Sequence, residues 1–99
     1  ISAAKAGIEG FARSAAATYA KDNLRVNVIA PSIMDSNMSQ KILSTDTARE
    51  VSKNMHPISK IGDTDDILPV IKWLLNPDTK WVTGQTIHVD GGLSTVKPR

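Results

Sequence analysis

The side chains that carry most protein chemistry are sparse in this chain. It has two histidines, His56 and His88, and no cysteine among its 99 residues. Thiolate nucleophiles, disulfides and cysteine-ligated zinc are therefore excluded, and two histidines far apart in the chain do not make a histidine-rich metal site. His88 lies between Ile87 and Val89 and reads as a face residue of a sheet; neither histidine is given a catalytic role. Asp63 and Asp66, three residues apart ahead of an apolar run, resemble a capping box with Asp in place of Glu. The segment with the most chemical scope is 31–55. It mixes Met, Ile and Ser and follows the apolar run 25–30. If that run is a parallel strand, the segment leaves its carboxyl end, where open α/β sheets bind ligands.

Bulk composition narrows the function classes. At 99 residues the chain is one small domain or a piece of one, spanning 1–99. It is 40% hydrophobic and 22% charged, which is ordinary globular composition and excludes disorder, collagen and coiled coil as whole-chain readings. Aromatics are only 4%, too few for a base-stacking platform. The net charge is +2 with Lys and Arg spread along the chain, so no electrostatic footprint for nucleic acid or membrane is present. No apolar run approaches the roughly 20 residues of a membrane helix, and no signal-peptide pattern opens the chain. The expectation is a soluble, cytoplasmic protein. The first residue is Ile1 rather than Met, which suggests a cut.

The elements that would position a site can be read from pattern. Residues 2–21 predict a helix, with Ser2 as N-cap and Ala at eight positions. Ile8, Phe11, Ala15 and Tyr19 (or Thr18) form one apolar stripe, and Ala3, Gly7, Gly10, Ser14 and Ala17 form a second stripe of small residues. Two glycines inside a helix cost roughly 1 kcal/mol each against Ala. Either something approaches that face closely or they are merely tolerated. Residues 25–30 predict a strand covered on both faces, ended by Pro31. A short helix over 37–43 and another over 45–55 follow. A helix over 64–75 has Ile67, Val70, Ile71, Leu74 and Leu75 as its apolar face, with Pro69 inside it to bend it or remove one hydrogen bond. Residues 85–89 predict a short strand. Gly84 and the turn Asp90-Gly91-Gly92 call for positive φ. Two strands joined by a crossover helix make a right-handed βαβ unit, so the fold class is α/β.

Four blocks, "SAAKAGIEGFARS", "RVNVIAPS", "KIGDTDDIL" and "WVTGQTIHVDGG", together resemble the C-terminal part of the short-chain dehydrogenase/reductase family. The nearest branch is the 3-oxoacyl-carrier-protein reductase and sugar-alcohol dehydrogenase type. The resemblance covers essentially the whole chain, and the block spacing fits. It implies the C-terminal part of a Rossmann-like doubly wound fold: helix, strand, loop, helix, strand, with two parallel strands. It also implies hydride transfer between NAD or NADP and an alcohol or carbonyl.

The resemblance assigns candidate residues. The family places a Tyr and, four residues later, a Lys on the first helix here, one face apart by one turn. The Lys matches Lys5, as catalytic and ribose-binding residue; the Tyr position is Ile1, which has no proton to give. Read without the family, Lys5 is a solvated first-turn lysine. The family's Pro-Gly followed by Thr, which holds the nicotinamide carboxamide, matches Pro31, Ser32, Ile33 and Ser36, with Ser for Gly and Ser for Thr. Pro31, Ile33 and Ser36 are the remaining cofactor-binding candidates; an ordinary strand-exit turn is the other reading. Gly7 and Gly10 lie inside a helix and do not replace the family's glycine-rich pyrophosphate turn. The isolated chain is therefore expected to bind no cofactor and to be inactive. It is also expected to cover its open strand edge or the Ile8–Phe11–Ala15 stripe by forming a homo-oligomer, a dimer in the simplest case.

Overall fold

In the computed structural model, residues 2–97 are described. The alanine-rich segment forms α1, Ser2–Tyr19, continued by a 3-10 turn over Ala20–Asp22. Asn23 ends it in the left-handed region at φ 60°, with its N–H on the Ala20 carbonyl at 3.0 Å. Asn is one of the few residues that adopts that conformation at little cost. The remaining elements are β1 (Val28–Pro31), α2 (Asp46–Asn54), α3 (Thr64–Leu75) and β2 (Thr86–Val89). β1 and β2 pair as a parallel two-stranded sheet, and the fold is α/β as expected. The chain divides into two compact units.

The first unit comprises Ile1–Ile29 and Val70–Ile87. Its buried apolar side chains are Ala12, Ala16 and Leu74. Ala16 lies 3.7 Å from the place a side chain on Gly84 would occupy, so small residues let α1 approach this segment. The larger apolar residues of α1 lie elsewhere. Ile8, Phe11 and Tyr19 are exposed, Phe11 at 77%. Gly7 and Gly10 have open space around them, so no close approach within the chain accounts for them.

The expected strand 25–30 begins three residues late, and the reason is local. Side chains interrupt the ladder there, leaving one backbone bond, from the Gly84 N–H to the Val26 carbonyl at 2.8 Å. The Val26 N–H donates to Thr83 Oγ1 at 3.1 Å, Asn27 Nδ2 donates to the Val82 carbonyl at 3.0 Å, and the Gln85 N–H donates to Asn27 Oδ1 at 3.1 Å. Arg25 donates to the carbonyls of Val82 (3.1 Å) and Leu74 (2.6 Å), and so caps the last turn of α3 while tying in the next segment. Pro31 is the last strand residue rather than the first beyond it, a position where its missing N–H matters little. No residue of either strand is fully buried, in contrast to the expected strand covered on both faces.

The second unit comprises Ala30–Pro69 and His88–Arg99. Within it β1 gives way to a 3-10 turn over Asn37–Ser39 where a longer helix to residue 43 was expected. Thr45 caps α2 by accepting from the Ala48 N–H at 3.0 Å. α3 runs through Pro69 over the expected residues. Its capping box is realised with one change. Asp66 accepts from the Asp63 N–H (2.9 Å), and Asp63 accepts from the Asp65 N–H (2.8 Å) rather than from Asp66. Gly91 and Gly92 have φ of 61° and 92°, as the turn required, and the Gly91 site is also tight, 3.2 Å from the Ile58 carbonyl oxygen.

Arg25 ties two segments of the first unit, and losing it removes the donor from the Leu74 carbonyl, while the Val82 carbonyl keeps Asn27 Nδ2 at 3.0 Å. A hydrogen bond to a charged donor contributes about 1.5–3 kcal/mol. Arg25→Ala is expected to lower unfolding free energy by about 2 kcal/mol, read as a lower urea midpoint at unchanged slope.

Candidate functional site

The segment beyond β1 is knit to itself by polar contacts. Ser36 caps the 3-10 turn: its N–H donates to Ser39 Oγ at 3.0 Å, and its side chain accepts from the Ser39 backbone. Ser39, which is buried, in turn donates to the Met34 carbonyl. Arg49 of α2 pairs with Asp35 at 2.7 Å and reaches the Leu43 carbonyl at 3.4 Å. Met34 bridges to Gly62 in parallel sense, with the Asp35 N–H on the Gly62 carbonyl at 2.8 Å.

A cavity of about 190 Å³ opens in this unit. Its walls come from the residues just past the carboxyl ends of both strands: Ser32, Ile33 and Met34 after β1, and Val89, Asp90 and Gly91 at the end of β2. His56, Ile58, Lys60, Gly62, Asp66 and Ile67 complete it. This is the end of a parallel sheet at which ligands bind in open α/β folds, and it is where the sequence placed its ligand segment.

His56 is the buried polar group of this wall, only 4% exposed. Its Nδ1 is 2.7 Å from the Ser52 carbonyl oxygen and its Nε2 is 2.8 Å from Ser32 Oγ. A carbonyl only accepts, so Nδ1 carries the hydrogen; in the neutral ring Nε2 then accepts from the Ser32 hydroxyl. Opposite charges sit on the same wall. Lys60 and Asp66 meet at 2.7 Å. The hydrogen bond from Lys60 and the one from the Asp63 N–H hold the Asp66 carboxyl below the usual carboxylate range, and Asp66 raises Lys60. Asp90 is nearly covered, its side chain 9% exposed. Burial pushes its pKa up. Hydrogen bonds from the Ser94 side chain and the N–H groups of Gly92 and Ser94, with His88 nearby, outweigh that and lower it.

The sequence-derived candidates divide between the units. Lys5 is exposed in the first turn of α1. Ile1, the position of the family's Tyr, lies outside the described residues, and the side chain of the expected cap Ser2 is likewise not described. Pro31 ends β1, Ile33 lines the cavity, and the Ser36 hydroxyl is engaged in its cap. Ser32 has an ordinary negative φ, so its side chain causes no backbone strain. The pairing of Ser32 with His56 was not legible beforehand: the two are 24 positions apart and share no local pattern. His88 is an exposed strand residue 3.9 Å from Asp90, the face position expected of it.

Known proteins resemble this arrangement closely. A family model described as enoyl-(acyl carrier protein) reductase matches residues 1–94. The chain belongs to the short-chain dehydrogenase/reductase family. The 3-oxoacyl-(acyl-carrier-protein) reductase of Vibrio harveyi is 33% identical over 94 residues, which are 95% of this chain and 38% of that protein. The solved structure of 4-hydroxyisoleucine dehydrogenase complexed with NADH superposes with a TM-score of 0.88 at 25% identity, covering 96% of this chain and 39% of that one. ElxO with NADP bound gives 0.82 at 30% identity, covering 93% and 38%. The chain thus spans about two-fifths of the length of such relatives. Among the described residues no helix is long and apolar enough to cross a membrane, and no cluster of metal-ligating side chains occurs.

Asp90, less exposed than Asp66 on the same wall, carries part of the pH dependence of this end of the fold. Its carboxyl pKa is lower folded than unfolded, so the stabilisation is present above the unfolded value of about 3.9 and is lost as pH falls through the folded value. Unfolding free energy is expected to drop as pH is taken below about 4, and Asp90→Asn is expected to flatten that fall, as measured by urea titrations across pH.

Proposed function

We propose that these residues are the C-terminal part of an NAD(P)-dependent oxidoreductase of alcohols or carbonyls, that the 99-residue chain alone turns nothing over, and that it associates with a copy of itself. The observation that carries the first statement is the match to a reductase over 95% of the chain. Solved relatives that hold NADH and NADP support the cofactor class. In the reading taken from the family, Lys5 is the ribose-binding lysine, and Pro31, Ile33 and Ser36 face the nicotinamide end.

The residues present do not fit a complete dinucleotide. No glycine-rich turn follows a strand in the sequence. The Ser36 hydroxyl already serves as a cap, and Ser32 brings a side chain where the family has glycine. Ile1 stands where the family's Tyr supplies the proton, and loss of a general acid or base typically costs 10²–10⁴-fold. The coverage favours a second reading, in which these residues work joined to a nucleotide-binding part carrying the glycine-rich turn.

Self-association is supported by exposed apolar surface. Ile8 and Phe11 on α1 are 59% and 77% exposed, and the two glycines beside them leave that helix face open. Such patches recruit partners.

Two measurements test these statements. Trp73 and Trp81 fluorescence is expected to stay unchanged as NADH or NADPH is added to roughly 1 mM, the upper end of ordinary enzyme affinities; saturable quenching would refute the reading that the isolated chain binds no cofactor. In sedimentation equilibrium the chain is expected to run as a dimer, and Phe11→Glu to shift it toward monomer. A wild-type chain that stays monomeric at high concentration counts against association.

A further inference from the structure

We propose that Ser32 is an acyl-accepting nucleophile, with His56 as its base, toward small uncharged activated esters. The proposal rests on the second unit alone and is independent of any dinucleotide.

A serine hydroxyl becomes nucleophilic when a base lies within hydrogen-bond reach and a third group fixes that base in the right tautomer. All three are in place. Ser32 Oγ is 2.8 Å from His56 Nε2, and His56 Nδ1 is 2.7 Å from the Ser52 carbonyl oxygen. The carbonyl obliges Nδ1 to carry the hydrogen, so Nε2 keeps its lone pair for the Ser32 proton. Because His56 is buried, water does not compete strongly for that lone pair. The hydroxyl hydrogen is directed at Nε2, which leaves the Oγ lone pairs free.

The pair lines the 190 Å³ cavity, whose other walls include Ile33, Met34, Ile58 and Ile67. Those walls suit a short branched acyl group without charge. In the step, Ser32 Oγ forms a bond to the acyl carbon of an aryl ester while its proton passes to Nε2. The tetrahedral adduct then breaks its bond to the aryl oxygen. An aryloxide leaves with the electron pair, His56 returns its proton to water, and Ser32 remains as an ester.

The third group decides the rate. A neutral carbonyl fixes the tautomer but steadies an imidazolium less than a carboxylate does. The expected behaviour is therefore slow acylation with a persistent adduct rather than turnover.

The experiment incubates the 99-residue chain with p-nitrophenyl isobutyrate and follows intact mass, with the site mapped by peptide fragmentation. One isobutyryl group is expected, on Ser32, added well ahead of any other serine. His56→Gln removes the base, and the Ser32 labelling rate is expected to fall at least about 10²-fold. Unfolding the wild-type chain in urea is expected to erase the preference for Ser32, which tests the geometry without depending on a variant that folds. No adduct at Ser32, labelling no faster than at the other serines, or a preference that survives either His56→Gln or urea overturns the proposal.

Discussion

A buried imidazole must satisfy two nitrogens at once, and that constraint organises the second unit. His56 meets it by donating to the Ser52 carbonyl on α2 and accepting from Ser32 just past β1. Leaving either buried group without a partner costs about 1–3 kcal/mol. The ring therefore holds the end of α2 and the exit of β1 in a fixed relation, and the cavity wall between them follows from it. The contacts further along the segment, Ser36 with Ser39 and Arg49 with Asp35, secure its remaining length.

The first unit solves a different problem with the same means. Its buried apolar side chains are small apart from Leu74. Alanines allow close packing but bury little area each, at roughly 25 cal/mol per Å². Directional bonds from Arg25, Asn27 and Thr83 therefore carry much of the registration between the segments before β1 and before β2. The large apolar residues of α1 and Trp81, 96% exposed, contribute nothing to that packing.

What was legible in the sequence was whatever depends on neighbours in the chain. α3 appeared over its expected residues because a cap, an apolar period and an Asn-Pro stop all lie within one segment. The glycines at 84, 91 and 92 were legible because positive φ is a local demand. The position of the cavity, at the carboxyl ends of the strands, was legible through topology. The start of β1 was not, because Asn27 and Thr83 interrupt its first ladder bonds from opposite ends of the chain. The apolar stripe Ile8–Phe11–Ala15 was seen correctly as a pattern, yet the packed face is Ala12 and Ala16. Periodicity identifies a face; it does not say whether anything is there to receive it.

Ser32 and His56 are best understood as one feature rather than two. The family pattern has glycine at position 32, and a glycine there would leave His56 Nε2 without its hydroxyl partner. Conversely, a half-buried serine hydroxyl beside isoleucines and a methionine would lack an acceptor if position 56 were apolar. The cost of an unpaired buried polar group exceeds the net gain of one hydrogen bond, so each residue is tolerable chiefly because of the other. Since the backbone at Ser32 is unstrained, the side chain enters at no conformational cost. Ser32 and His56 are therefore a coupled pair in the cavity wall, and changing one member alone is penalised more than changing both.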